Sequence, residues 1–137
     1  MNDVFLQRAR QLRSARELVE EESLFASATA LLSVHSGIAL NDALLAVWRG
    51  RPVKSEDHQE AIRATESECR TRKLDSAGIR HLVALIKSKS PISYGDEPVT
   101  YEKARALAES ARRFEAWTFK TCKELAQWEQ QQSPRAV

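Results

Sequence analysis

The chain has few of the residues that break helices or cross-link small folds. Its 137 residues include only four glycines, four prolines and two cysteines. So little Gly and Pro, together with abundant Ala, Leu, Glu, Arg and Lys, favours helix along most of the chain. Two isolated cysteines form neither a disulfide framework nor a CxxC motif, which is typical of a reducing compartment. The length suits one domain with a hydrophobic core of its own.

Strong charge bias and long apolar runs are also absent. The 21 basic and 19 acidic residues leave a net charge of +2, so charge alone does not indicate a nucleic-acid or membrane surface. No window approaches about 18 consecutive apolar residues. The first residues carry charges where a signal peptide needs an apolar run. We therefore expect no membrane span and a cytoplasmic protein.

The segment from Ser23 to Gly50 organises the rest of the chain. It is apolar most of the way round a helical wheel, which predicts a central helix covered on several sides. Small and polar residues near its middle would let a neighbouring helix approach closely. Apolar residues at steps of three and four predict the other helices. We place three of these helices at about residues 3–21, 55–69 and 100–130. A fourth is capped by Asp75 or Ser76 and ends at Pro91, and the segment KSKSPISYGDEPV is predicted to be a structured loop.

These segments predict an all-α, up-and-down bundle of four to five helices. It forms a single domain over residues 1–131, followed by a frayed tail over 132–137. Trp117 and Trp128 lie off the apolar stripe of the last helix, which favours a homodimer that buries this surplus surface through long helices. The arginines of the first helix scatter around its wheel, which predicts a solvated face: Arg8, Arg10, Arg13 and Arg16.

Generic catalytic and nucleotide-binding motifs are absent, including GxGxxG, the P-loop, HExxH and GxSxG. We expect no metal site and no cofactor. His35 and Asp42 lie two turns apart on one face of the central helix. A hydrogen-bonded core histidine is a simpler interpretation of His35 than an acid–base or metal pair. His58, near the start of the third helix, is either a ligand contact or an ordinary surface histidine.

Three segments occur in an order that resembles the HEPN superfamily of small helical domains. They are HSGIALNDALLAVWRG, DHQEAI and LVALIKSKSPISYGDEPVTYEKARALAESARRFEAW, and the resemblance covers about residues 20–120. It implies an up-and-down helical bundle that often dimerises through long helices. The superfamily includes ribonuclease toxins, ligand-binding modules, and partners of minimal nucleotidyltransferases in toxin–antitoxin pairs.

The ribonuclease members carry an Arg, four to six residues and then a His, often with a Tyr two positions further on. Aligning the chain on Tyr94 places Lys87 at the Arg position and Ile92 at the His position. Sliding the alignment by two residues places Lys89 and Tyr94 there instead. Neither alignment gives the Arg–His pair, because isoleucine cannot transfer a proton and lysine lacks the bidentate fork of arginine.

We therefore expect a non-catalytic HEPN-like binding or interaction module with no catalytic residues. Its partner would be a nucleotidyltransferase in a toxin–antitoxin or defence-type system. Nucleotide or RNA is a further possible ligand, although the mixed charges give no continuous basic face. One alternative is a divergent ribonuclease toxin that uses Lys87, Tyr94 and a histidine, and another is a structural or regulatory helical adaptor. The candidate ligand-binding residues are Lys87, Lys89, Tyr94, His58, His35 and Asp42.

Overall fold

The computed structural model describes residues 4–53 and 57–132. Of these residues 82% are helical, and none of them lies in a strand. The predicted all-α, up-and-down bundle is therefore confirmed. A short 3-10 turn, Ser23–Phe25, leads into the second helix. The α-helices are α1 (Val4–Val19), α2 (Ala26–Arg49), α3 (His58–Arg72), α4 (Ile79–Lys87), α5 (Lys89–Tyr94), α6 (Tyr101–Thr121) and α7 (Lys123–Gln131).

Two breaks raise the number of helices above the four to five predicted. The predicted last helix divides at Cys122, whose extended backbone (φ −117°, ψ 103°) separates α6 from α7. Ser88 separates α4 from α5, so part of the predicted loop is a short helix. Pro91 does not end α4. It lies in the first turn of α5, where a backbone N–H has no partner within the helix.

Several helix ends have the local chemistry that the sequence predicts. Thr100 Oγ1 accepts a hydrogen bond from the Lys103 N–H at 3.1 Å, and Gly50 ends α2 with a left-handed φ of 83°. The cap of α3 is Asp57, which was predicted to lie inside that helix; it accepts from the Gln59 N–H at 2.9 Å. The predicted start of that helix at Ser55 lies outside the described residues. So do the predicted start of α1 at residue 3 and the predicted tail beyond residue 132.

Helix α2 is the central helix of the bundle. It packs mainly against α1 and α6 and also contacts α3, α4 and α5. At Gly37 an added Cβ would lie 2.5 Å from Leu85 Cδ1, so the glycine permits the close approach of α4. Ser23–Arg49 is long and apolar enough to cross a membrane by length and composition alone, although 61% of its most apolar window is buried in the bundle. A search of the sequence for long continuous apolar runs does not detect this segment, because polar residues interrupt it.

The prediction that the arginines of α1 form a solvated face holds for Arg8, which is exposed, and is wrong for Arg13 and Arg16. Arg16 is only 1% exposed. Its Nη2 donates to Glu115 Oε1 at 2.9 Å and its Nε to Glu20 Oε2 at 3.2 Å. Arg13 Nη2 donates to Glu129, and Arg13 Nε lies 3.8 Å from Glu115 Oε2. These ion pairs fasten α1 to α6 and α7.

Trp117 and Trp128 do not leave surplus apolar surface on the monomer. Each is 9% exposed and belongs to the main core cluster. The Trp117 Nε1–H donates to the Asp75 carbonyl at 2.9 Å, and an added Cβ at Gly78 would lie 1.9 Å from Trp117 Cγ. The observation on which we based the homodimer is therefore wrong, and the homodimer itself stays a prediction.

Candidate ligand-binding groove

A surface groove lies between the start of α3 and the short helix α5, and Ile86 of α4 also lines it. It has a volume of about 630 Å³. Three residues predicted from the sequence line it: His58, Lys89 and Tyr94. Asp57, Gln59 and Ser90 complete its lining. Residues that are distant in the sequence are therefore brought together on one surface.

The geometry of α5 places two of these side chains in the groove. The break at Ser88 starts a new helix at Lys89, and Tyr94 is its last residue. The Gly95 N–H donates to the Pro91 carbonyl at 2.9 Å, and an added Cβ at Gly95 would lie 2.3 Å from that oxygen. The tight end of α5 therefore requires glycine. Tyr94 is 81% exposed, so its ring is open to contact from solvent.

His35 of α2 is exposed, and the prediction of a core histidine was wrong. Partial burial lowers the pKa of His35, and the positive charges of Lys89 and His58 lower it further. Side chains from three helices therefore concentrate basic groups at one place on the surface. Such a concentration favours an anionic ligand.

A separate cavity of about 190 Å³ adjoins the groove. His58 and Ile86 line both spaces, so the two are neighbours with shared walls. Most of the cavity lining is aliphatic, and its other polar residues are Asn41 and Asp42 of α2. Of the predicted pair on one face of α2, His35 lies beside the groove and Asp42 lines the cavity.

Asn41 and Asp42, the polar residues that α2 contributes to the cavity, differ in their burial and in their hydrogen bonds. Asn41 is 2% exposed, and its Oδ1 accepts a hydrogen bond from the Thr65 hydroxyl at 2.6 Å. Burial raises the pKa of Asp42 to about 6, although the charge of Arg8 opposes the shift. Among the described residues, none donates a hydrogen bond to the Asp42 carboxylate. The cavity therefore contains a carboxylate that can accept hydrogen bonds from a guest.

The residue pairs of the two alignments with the ribonuclease pattern lie at different places in the structure. Lys87 is exposed at the end of α4 and is not part of the groove lining. Ile92 is partly buried against the second core cluster. Lys89 and Tyr94, the positions of the other alignment, both line the groove. The groove therefore presents Lys89 and Tyr94 to a ligand, and it does not present Lys87 or Ile92.

Sequence reasoning did not single out Asn41 and Thr65 as part of a site. The available signal was weak: an amide within an apolar helix and a threonine within a mostly polar one. Over residues 4–53 and 57–132, no group of three or more His, Cys, Asp or Glu side chains could hold a metal ion. No protein-family model matches the chain, and no curated protein is significantly similar to it. The resemblance to HEPN domains stays a prediction from the ordered segments alone.

Proposed function

We propose that the chain is a HEPN-like binding module that holds a nucleotide-type ligand in the groove and does not cleave RNA. The observation that carries this proposal is the meeting of His58, Lys89 and Tyr94 in one groove. An ammonium group and an imidazole can donate hydrogen bonds to a phosphate. An exposed tyrosine ring offers a face on which a base or a sugar can pack.

The charges around the groove favour an anion. His35 adds a third basic side chain beside His58 and Lys89. Asp57 has the opposite sign, and it also lines the groove. Its carboxylate accepts from the Gln59 N–H, and its Oδ2 lies 3.8 Å from Arg63 Nη2. These contacts offset part of its negative charge.

A binding measurement with matched lysine variants tests the proposal. Isothermal titration calorimetry would measure the binding of nucleoside monophosphates and inorganic phosphate to the wild type, Lys89→Met and Lys87→Met. We expect Lys89→Met to weaken nucleotide binding about tenfold or more, since it removes a charge-assisted hydrogen bond. Lys87→Met removes the same charge outside the groove and should have little effect. No binding by the wild type, or equal losses in both variants, would contradict the proposal.

A divergent ribonuclease is the second candidate function, and one observation favours it. The charge of His58 acts on His35, and both histidines are close to Lys89. Two imidazoles beside a cation are the groups that acid–base cleavage of a phosphodiester needs. Cleavage of single-stranded RNA by the wild type that is lost in His35→Ala and His58→Ala, but kept in His81→Ala, would replace the binding module with this enzyme.

The resemblance also leads us to propose a homodimer, a nucleotidyltransferase partner and a cytoplasmic location. Large apolar side chains are exposed near the turn between α1 and α2: Leu18, Leu24 and Phe25. Light scattering at high protein concentration tests the dimer, and a monomer mass would contradict it. Purification from the native cell tests the partner. A stable protein complex without nucleotide binding would favour the helical adaptor instead.

A further inference from the structure

We infer that the cavity beside the groove receives a guanine base, so that Asp42 and Asn41 select the ligand. The inference rests on the proposed function, because the groove would hold the phosphate end of the same molecule. His58 and Ile86 line both spaces. A ligand with a ring at one end and a phosphate at the other can therefore fill the cavity and the groove together.

The size of the cavity suits a base and not a larger group. A water molecule occupies roughly 30 Å³ in the liquid. The cavity of about 190 Å³ therefore holds about six waters, the scale of one planar ring system. Pockets for drug-sized ligands run from about 300 Å³ upward. The larger groove remains for the sugar and the phosphate.

The walls of the cavity suit the flat faces of a base. Ile38 on α2, Leu82 and Ile86 on α4, and Ala61 on α3 give it apolar sides. Sites that bind a single base generally pack apolar side chains on its faces and read its edge with hydrogen bonds. The polar edge in this cavity comes from α2, where Asn41 and Asp42 are adjacent in the sequence.

The hydrogen-bonding groups on this edge match guanine. The Asp42 carboxylate can accept two hydrogen bonds. Asn41 already uses its Oδ1 to accept from Thr65, so its amide N–H group is what it can offer to a guest. Guanine presents two neighbouring donors, N1–H and the 2-amino group, beside the O6 acceptor. Adenine, cytosine and uracil do not present two neighbouring donors on that edge.

The state of Asp42 agrees with this role. Burial raises its pKa to about 6, so at neutral pH the side chain is mostly a carboxylate and accepts hydrogen bonds. Holding that charge in a half-buried place costs folding stability. Ionisable groups kept in such positions are common at functional sites.

A comparison of three nucleotides on the full chain tests the inference without any substitution. Calorimetry at about pH 7.5 would compare GMP, IMP and AMP, because IMP differs from GMP only by the missing 2-amino group. We expect GMP to bind about tenfold or more tightly than IMP, and AMP to bind weakly, since a well-made bidentate contact discriminates by this factor or more. Equal affinities for the three would overturn the inference and leave the proposed function standing. No binding by any of them would overturn both.

A substitution then tests whether Asp42 is the residue that selects the base. Asp42→Asn should remove the preference for GMP over IMP while the groove still binds both nucleotides. Glu102→Gln also converts a carboxylate to its amide, but at an exposed site on α6. This variant should keep the preference. Thermal unfolding verifies that both variants are folded. An unchanged GMP preference in Asp42→Asn would overturn the assignment to this cavity.

Discussion

Thr65 on α3 donates its side-chain hydroxyl to Oδ1 of Asn41 on α2 at 2.6 Å, and both side chains are buried. This hydrogen bond joins two walls of the cavity. Asn41 lines the cavity beside Asp42, so the bond also fixes which end of the amide faces a guest.

Replacing Thr65 with valine should destabilise the fold, because the change keeps the shape but leaves Asn41 Oδ1 buried without a donor. We expect a loss of about 1–3 kcal/mol in the free energy of unfolding, measured with urea. Thr118→Val is the matched control, because Thr118 is also fully buried but bonds only to the Phe114 carbonyl four residues earlier. Equal losses in the two variants would contradict this account of the Asn41 contact.

Replacing Asp42 with asparagine should stabilise the fold above about pH 6. The folded-state pKa of Asp42 is raised from 3.8 to about 6. Between these two pH values the folded protein holds the proton more tightly than the unfolded chain, so stability falls as the pH rises. Above about pH 6 the cost levels off, and solvent screening of the partly exposed carboxylate keeps it to about 2 kcal/mol.

Urea unfolding of the wild type and Asp42→Asn at about pH 4 and about pH 7.5 measures this cost. Taking the difference between the two proteins isolates Asp42 from other titrating groups. We expect near-equal stability at the lower pH and a more stable variant at the higher pH. A variant that is less stable at both would show that the carboxylate has a stabilising partner.

Replacing Arg16 with methionine should destabilise the fold strongly. Arg16 is 1% exposed, and its Nη2 lies 2.9 Å from Glu115. Burial raises the pKa of Glu115, and the charges of Arg16 and Arg13 oppose this shift. Loss of the Arg16 guanidinium therefore leaves a largely buried carboxylate with less compensation, a change that costs on the order of 3 kcal/mol. Arg113→Met on α6 is the control, because its pair with Glu109 is exposed and contributes little. Chemical denaturation of both variants compares them, and a similar small effect in each would refute the role given to Arg16.

We expect no cleavage of single-stranded RNA by the wild type. The groove carries a tyrosine where the ribonuclease members have histidine, and lysine does not reproduce the fork of arginine. A Lys89→Arg/Tyr94→His variant places the Arg–His pair of the ribonuclease members in the groove. Lys87→Arg/Ile92→His places it at an exposed site and a packed one.

A gel assay of the three proteins separates the two alignments. Cleavage by the Lys89/Tyr94 variant alone would support the alignment that uses the groove. Metal-independent turnover by the wild type that His58→Ala abolishes would refute the non-catalytic proposal.

The parts of the fold that depend on local chemistry were predictable from the sequence. Periodicity gave the bundle and the central helix. Gly50 and Thr100 marked helix ends because the left-handed turn and the side-chain cap act within a few residues. The break at Cys122 was not predictable from these rules, because no glycine or proline signals it. Pro91 signalled an interruption near Ser88 but not the short helix that includes this proline.

The parts that depend on tertiary contacts were only partly predictable. The prediction that Arg16 is solvated was wrong because its acidic partner, Glu115, lies 99 residues further along the chain. His58 was a candidate on its own, but its place beside Lys89 follows from the packing of α3 against α4. His35 looked like a core residue because it lies in an apolar helix, yet its side chain is exposed.

The most direct test of the groove uses the three histidines of the chain as reporters. His58 lines the groove, and His35 is close enough to be affected by the charges of His58 and Lys89, whereas His81 lies on α4 near Arg80 and Arg113. The imidazole C–H resonances would be followed by NMR while GMP is added to the wild-type protein. We expect the resonances of His35 and His58 to shift and saturate together as GMP is added, while the resonance of His81 stays in place. Unchanged resonances for all three, or a shift at His81 alone, would contradict it.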